Sequence, residues 1–195
     1  IIDMSGSMHR REPLTKKDLA EGEELPPQDN SKGVCEECGA EEFGYILPDD
    51  RRRVVRAKKE LHKLIGQLPN QTLFNMIMYN STVTPWKEEM LLATENVKEE
   101  AQAWVEGMVH QGVTLTFEAL QAAFELNKEA VVFYLVSDGF PTDLTGNNLD
   151  ATGLKEIFDT VRNLNKFRQV RINTIGFQGA SQYFMQRLAK ENQGV

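Results

Sequence analysis

Three short polar clusters in this 195-residue sequence carry oxygen donors that suit a metal cation. The first cluster contains Asp3, Ser5 and Ser7, directly after two isoleucines, while Thr114 and Asp138 stand in the second and third. Two carboxylates and three hydroxyls form the kind of donor set that a hard dication prefers, together with water, at octahedral positions. The residue types therefore predict a Mg²⁺ or Mn²⁺ site, provided that the fold brings the clusters together.

The spacing of apolar residues predicts the elements that position these clusters. Helical spacing is found in five segments, which begin at Val54, Val97, Phe117, Leu154 and Phe184. Apolar runs predict strands over 73–79, 83–86, 131–136 and 170–177. Strands that alternate with helices predict an α/β fold, with a doubly wound, mostly parallel central sheet flanked by helices.

The predicted topology places the polar clusters at one edge of that sheet. Asp3 follows a strand that ends at Ile2, and Asp138 follows the strand that ends near Val136. Thr114 lies in the loop before the third helix. Because ligands of open α/β sheets bind outside the carboxyl ends of the strands, we expect the clusters to meet there.

The same stretches resemble the motifs of a known family. DMSGSM, residues 3–8, resembles the D-x-S-x-S motif of the metal-ion-dependent adhesion site in von Willebrand factor A domains. GVTLTFEAL resembles the stretch that brings the threonine of that site, and LVSDGFPTD resembles the segment with its second aspartate. FNMIMYNS and INTIGF also match bacterial members. The resemblance covers nearly the whole chain apart from residues 9–48 and implies a Rossmann-like fold.

The resemblance also implies a function and a role for each site residue. Ser5, Ser7 and Thr114 would bind the metal directly, whereas Asp3 and Asp138 would act mainly through bridging waters and hydrogen bonds. Neutral direct ligands leave the charge of the dication under-compensated, so an open coordination position attracts an acidic group. The implied function is a metal-dependent adhesion or scaffold module that recognises an Asp or Glu side chain of a protein partner, and not an enzyme.

Two other functions are compatible with these residues. The first is a metal-dependent phosphotransferase or hydrolase with Asp3 as nucleophile. Haloacid-dehalogenase-like phosphatases place a nucleophilic Asp after the first strand and a second Asp two positions on, where this chain has Ser5, which lacks the carboxylate for general-acid chemistry. The second is a structural subunit with a vestigial site. Each cluster alone also has an ordinary explanation, which is a hydrogen-bonded turn for the clusters of Asp3 and Asp138 and a helix cap for Thr114.

Residues 9–48 differ in composition from the rest of the chain. They are rich in Glu, Lys, Pro and Gly and poor in large apolar residues, which predicts a surface insertion within a single domain over 1–195. The segment carries Cys35 and Cys38, whose spacing is that of half a zinc site. Free or locally bridged thiols are the simpler interpretation, zinc is the next, and redox catalysis fits least.

Charge and hydropathy exclude some partners. The formal net charge of −7 argues against a nucleic-acid-binding face, and the absence of a long apolar run argues against membrane insertion of this segment. The basic run Arg51–Arg53 is interpreted as the solvated start of a helix. Because the sequence begins without Met at a strand end, we expect a truncated first strand. We also expect any targeting signals to lie outside this sequence. That leaves the compartment open, and an extracellular or cell-surface location is compatible.

Overall fold

The computed structural model describes residues 1–12, 32–34, 41–43, 49–177 and 179–195. Its strands, in chain order, are β1 (Ile2–Asp3), β2 (Lys32–Val34), β3 (Glu41–Phe43), β4 (Leu73–Phe74), β5 (Ile77–Tyr79), β6 (Val83–Pro85), β7 (Leu91–Leu92), β8 (Val132–Ser137) and β9 (Arg171–Gly176). Its α-helices are α1 (Arg53–Gln67), α2 (Glu95–Glu106), α3 (Thr116–Leu126), α4 (Ala151–Asn165) and α5 (Gln182–Glu191). Each helix predicted from apolar spacing is present.

Across the described residues the central sheet has five strands, in the order β6-β5-β1-β8-β9. β1 lies in the middle, where Ile2 pairs in parallel with Met78 on one side and Val136 on the other. β9 runs parallel to β8, and β6 pairs antiparallel with β5 through a short hairpin. The predicted α/β fold with a mostly parallel central sheet flanked by helices is confirmed.

Two apolar cores hold the helices against the two faces of the sheet. One core joins α3, α4 and α5 to the sheet through buried residues such as Leu120, Phe158 and Leu135. The other joins α1 and α2 to the sheet through residues such as Val54 and Ile2. Burial at intervals of three and four residues along each helix explains why these segments form amphipathic helices. Among the described residues, no helix combines the length and the apolar character that crossing a membrane requires.

The predicted strand over 73–79 is wrong in one respect, because the structure divides it in two. β4 pairs antiparallel with β7 in a separate two-stranded sheet, and β5 alone joins the central sheet. Asn75 stands at the break, where its Oδ1 accepts a hydrogen bond from Met76 N at 2.8 Å and its Nδ2 donates to Lys87 O at 2.9 Å. These side-chain hydrogen bonds compete with the strand ladder and end it.

Residues 10–12 and 51–53 lie side by side, and we call this pairing the Arg11–Arg52 bridge. Glu12 N donates to Arg51 O at 2.9 Å, and Arg53 N donates to Arg10 O at 3.0 Å. The two ends of the segment between Glu12 and Arg51 therefore lie next to each other.

Within the segment that the bridge encloses, β2 and β3 pair antiparallel in a sheet of their own. The surface insertion over 9–48 stays a prediction, and Cys35 and Cys38 lie outside the described residues.

Candidate metal centre

The loop after β1 is organised by the carboxylate of Asp3, which is 0% exposed. Asp3 Oδ1 accepts a hydrogen bond from Ser5 N at 2.8 Å, which turns the chain sharply after the strand. Asp3 Oδ2 accepts from Ser137 Oγ at 2.6 Å, at the end of the neighbouring β8. Ser5 then precedes a 3-10 helix over Gly6–His9, and its Oγ lies 3.0 Å from Ser7 Oγ. The predicted hydroxyls of this loop are therefore adjacent.

The loop that carries Thr114 docks directly on the first loop. Gly6 N donates to Gly112 O at 2.9 Å, and Gln111 N donates to Met4 O at 2.9 Å. Gly112 has a φ of +70°, and a side chain there would begin 2.1 Å from the hydroxyl of Ser81. The packing of this loop against Ser81, between β5 and β6, therefore depends on a glycine at position 112.

Thr114 is buried and is held by reciprocal hydrogen bonds with Thr142. Thr114 N donates to Thr142 Oγ1 at 2.9 Å, and Thr142 N donates to Thr114 O at 3.0 Å. Thr142 follows Pro141 in a sequence typical of an ordinary turn, so the sequence gives no specific signal for this contact. The loop after β8 therefore fixes the backbone of Thr114.

Asp138 brings the second carboxylate and is buried with an ionic partner. Its Oδ2 accepts a hydrogen bond from Arg53 Nη1 at 3.1 Å, and its main-chain oxygen accepts from Ser181 N at 3.1 Å. Within the part of the chain that the structure describes, Asp138 Oδ1 is buried and has no hydrogen-bond partner. A buried carboxylate oxygen without a donor is costly, so this atom is suited to a water or a cation.

The interpretation of Arg51–Arg53 as a solvated helix start is wrong for Arg53, which is 8% exposed and forms the ion pair with Asp138. The contact spans 85 positions, so no local pattern reveals it. The sequence did give an indirect indication, because two carboxylates expected at one buried edge of the sheet require a positive group nearby.

The electrostatics of the site follow from burying these charges together. Burial, and next the nearby charge of Asp138, raise the pKa of Asp3 to about 6, although hydrogen bonds from Ser137 and Ser5 oppose the shift. Burial lowers the pKa of Arg53, while the charge of Asp138 opposes that shift. A cation close to both carboxylates would therefore stabilise their charged forms.

The structure brings the three loops of the predicted set to one edge of the sheet. Asp3, Ser5, Thr114 and Asp138 are buried there, and Ser7 is half-buried. Among the described residues no three His, Cys, Asp or Glu side chains cluster so as to hold a metal. A cation at this edge must therefore take hydroxyl or water ligands beside the two carboxylates, which is the donor set that Mg²⁺ and Mn²⁺ accept.

Comparisons with known proteins agree with the fold. Residues 46–195 match the profile of the von Willebrand factor type A domain. The human von Willebrand factor A domain-containing protein 3B is 27% identical over 139 residues, which cover 68% of this chain and 10% of that protein. The rat inter-alpha-trypsin inhibitor heavy chain H3 is 26% identical over 149 residues, covering 73% of this chain and 17% of that protein. This chain therefore spans a small part of those relatives.

Solved structures share the same architecture at low identity. The manganese-loaded Plasmodium vivax TRAP protein superposes with a TM-score of 0.51 and 23% identity, covering 69% of this chain and 54% of that one. The protein BatB from Bacteroides thetaiotaomicron gives a TM-score of 0.56 and 13% identity, covering 99% and 84%. These structures are similar to the chain in fold.

Proposed function

This chain belongs to the von Willebrand factor type A domain family, and from that premise we propose that it is a divalent-metal-dependent protein-binding module. Domains of this family typically mediate adhesion or protein–protein interaction. The observation that carries the proposal is the meeting of two buried carboxylates with the loops of Ser5, Ser7 and Thr114, beside the unpartnered Oδ1 of Asp138. The manganese in the TRAP protein of the same fold makes Mn²⁺ a suitable probe.

The residues divide naturally into direct ligands and supporting groups. Ser5, Ser7 and Thr114 would bind the metal through their hydroxyls. Asp3 is already engaged by Ser5 N and by Ser137, so its remaining lone pairs suit bridging waters better than direct ligation. When bound, the metal would supply an electrophilic position open to a partner. Asp138 would add charge from the opposite loop through Oδ1.

The partner that this arrangement favours carries a carboxylate. The two aspartates roughly balance a dication, and the hydroxyl ligands are neutral, so an anionic oxygen is the preferred group at an open position. The apolar side chains of Phe140 and Leu144 are 43% and 77% exposed on the loop that follows Asp138. Exposed apolar groups beside a polar centre are typical of protein interfaces, so we infer a protein partner with an Asp or Glu side chain.

The enzymatic alternative is less well supported by the geometry. Both carboxylate oxygens of Asp3 accept hydrogen bonds, and the residue is 0% exposed. A nucleophilic carboxylate needs an oxygen that can reach substrate. A phosphatase assay with a generic aryl phosphate separates the two functions, since turnover that is lost in Asp3→Asn would favour the enzyme.

Calorimetric titration of the metal-stripped protein with Mn²⁺ tests the proposed site. We expect one Mn²⁺ per chain in the wild type, and affinity weaker by about 10–100-fold in Asp138→Asn, since groups that support a metal through water or hydrogen bonds have effects of this size. Thr114→Val should remove a direct ligand and abolish binding. Thr94→Val, which changes an exposed threonine before α2, is the matched control and should bind like the wild type.

The outcomes of this titration are distinct. A folded wild-type protein that takes up neither Mn²⁺ nor Mg²⁺ contradicts the proposed function and leaves a structural subunit with a vestigial site. For a partner found by affinity capture, chelation should release it without unfolding the domain. Partner binding that survives both chelation and Thr114→Val would place recognition on another surface.

A further inference from the structure

Arg53 is a positive side chain inside the candidate metal centre that the proposed function does not use. It is 8% exposed, and its Nη1 lies 3.1 Å from Asp138 Oδ2. Its Nη2 lies 3.6 Å from the point where a side chain on Gly179 would begin, so Gly179 lies close to the guanidinium. The charge of Asp3 also acts on Arg53. Arg53 thus lies against Asp138 and also experiences the charge of Asp3.

The backbone of Arg53 is held in place at the start of α1. It is the first residue of α1, and its N–H donates to Arg10 O within the Arg11–Arg52 bridge. Arg10 itself directly follows the 3-10 helix over Gly6–His9 that completes the first loop of the centre. The bridge therefore anchors the start of α1 beside the loop that holds Asp3, Ser5 and Ser7.

A guanidinium at this position changes the charge that a metal would meet. Asp3 and Asp138 together offer two negative charges, and Arg53 cancels one of them. Because the ion pair is buried, repulsion between the guanidinium and a dication is weakly screened by solvent and by salt. The same burial makes Asp138 unfavourable without a positive partner, which explains why Arg53 lies against it.

We propose that Arg53 is an internal counter-ion of Asp138 that competes with the divalent metal and holds the metal affinity of the site below that of its donors alone. This inference rests on the proposed function, because it concerns the same site. Asp138 Oδ2 is engaged by Arg53 while Oδ1 has no partner among the described residues. Metal binding must therefore proceed against the adjacent guanidinium or displace it.

Mn²⁺ titration of the metal-stripped variants Arg53→Gln and Arg53→Lys tests the competition. Arg53→Gln removes the charge and keeps a polar side chain that is shorter than arginine, and we expect it to bind Mn²⁺ at least about tenfold more tightly than the wild type. Arg53→Lys keeps the charge and should bind like the wild type. Lys59→Gln removes an exposed charge from the same helix and is the matched control for long-range effects.

Thermal melting gives a second readout that does not depend on the titration. Without metal, Arg53→Gln should melt below the wild type, because Asp138 loses its counter-ion. Saturating Mn²⁺ should then raise its melting temperature by more than that of the wild type. Should Arg53→Gln not fold, Arg53→Met provides an apolar, uncharged side chain of the same length as glutamine and carries the same expectations.

The possible results separate this inference from the proposed function. Equal affinity in the wild type and in Arg53→Gln overturns the counter-ion role and leaves the metal site intact. Weaker binding by Arg53→Gln also overturns it, and would make Arg53 a residue that orients Asp138 for the metal. Binding by neither protein overturns the metal site and the inference together.

Discussion

Ser137 and Asp3 lie 134 positions apart in the sequence, and Ser137 Oγ donates to Asp3 Oδ2 across 2.6 Å. The same hydroxyl accepts a hydrogen bond from Gly139 N at 2.9 Å. Ser137 therefore ties the carboxylate at the end of β1 to the loop that follows β8. This hydroxyl adds a side-chain link to the parallel pairing of β1 with β8, which sets the separation of the strand ends that carry Asp3 and Asp138.

Replacing Ser137 with Ala should destabilise the fold and weaken metal binding together. The change leaves a buried carboxylate oxygen and a buried N–H without their partner, and we expect the free energy of unfolding to fall by about 1–3 kcal/mol. Urea denaturation measures the stability and Mn²⁺ titration the affinity. A loss of stability with unchanged affinity would show that Ser137 does not position Asp3 for the metal.

Gly112→Ala should be destabilising where Gly66→Ala is not. Gly112 has a φ of +70° and no room beside Ser81, so we expect a loss of about 1–3 kcal/mol in the free energy of unfolding. Gly66 lies inside α1, and a Cβ atom there would lie 3.6 Å from Gln102 Nε2, an ordinary contact distance. Alanine at this position should raise the free energy of unfolding by about 0.5–1 kcal/mol. Equal effects of the two changes in urea denaturation would contradict the proposed need for glycine at position 112 beside Ser81.

Thr142→Val should weaken metal binding although Thr142 is not proposed as a ligand. The hydroxyl accepts the hydrogen bond from Thr114 N, and its loss leaves a buried N–H unpaired and costs about 1–3 kcal/mol of stability. Thr142→Ser keeps the acceptor and is the control, expected to behave like the wild type. If both variants bind Mn²⁺ equally, Thr114 is held in place by other contacts.

Deleting residues 13–48 and joining the ends with a short Gly-Ser linker should leave the central sheet folded. The Arg11–Arg52 bridge brings the two ends together, so a short linker can span them, and loop-closure entropy depends weakly on length. Far-UV circular dichroism and a cooperative melt are the measurements. A deletion variant that does not fold would show that this segment belongs to the core.

Much of the fold could be predicted because its determinants are local or follow from topology. The helices α1 to α5 bury residues at regular intervals, which the spacing of apolar residues reveals directly. Asp3 and Asp138 could be placed at one edge because the carboxyl ends of parallel strands meet there. Neither step required knowledge of any specific side-chain contact.

The features that escaped prediction depend on such contacts. Arg53 is buried because a pairing at the start of α1 holds it beside Asp138, and its neighbours in the sequence carry the same charge. Asn75 ends a strand through hydrogen bonds of its side chain, in the middle of an otherwise apolar run. Thr142 accepts a hydrogen bond from Thr114 N, but it lies in a turn of ordinary composition that does not indicate this contact.

The Arg11–Arg52 bridge also determines how the domain would respond to mechanical force. Its two segments run antiparallel with residues 13–50 attached at one end, so tension applied there opens the hydrogen bonds in sequence, as in a zipper, and does not shear them together. The bond between Glu12 and Arg51 would part first, and the bond between Arg10 and Arg53 last. A pull on this segment would therefore reach the ion pair of Asp138 before it strained the central sheet.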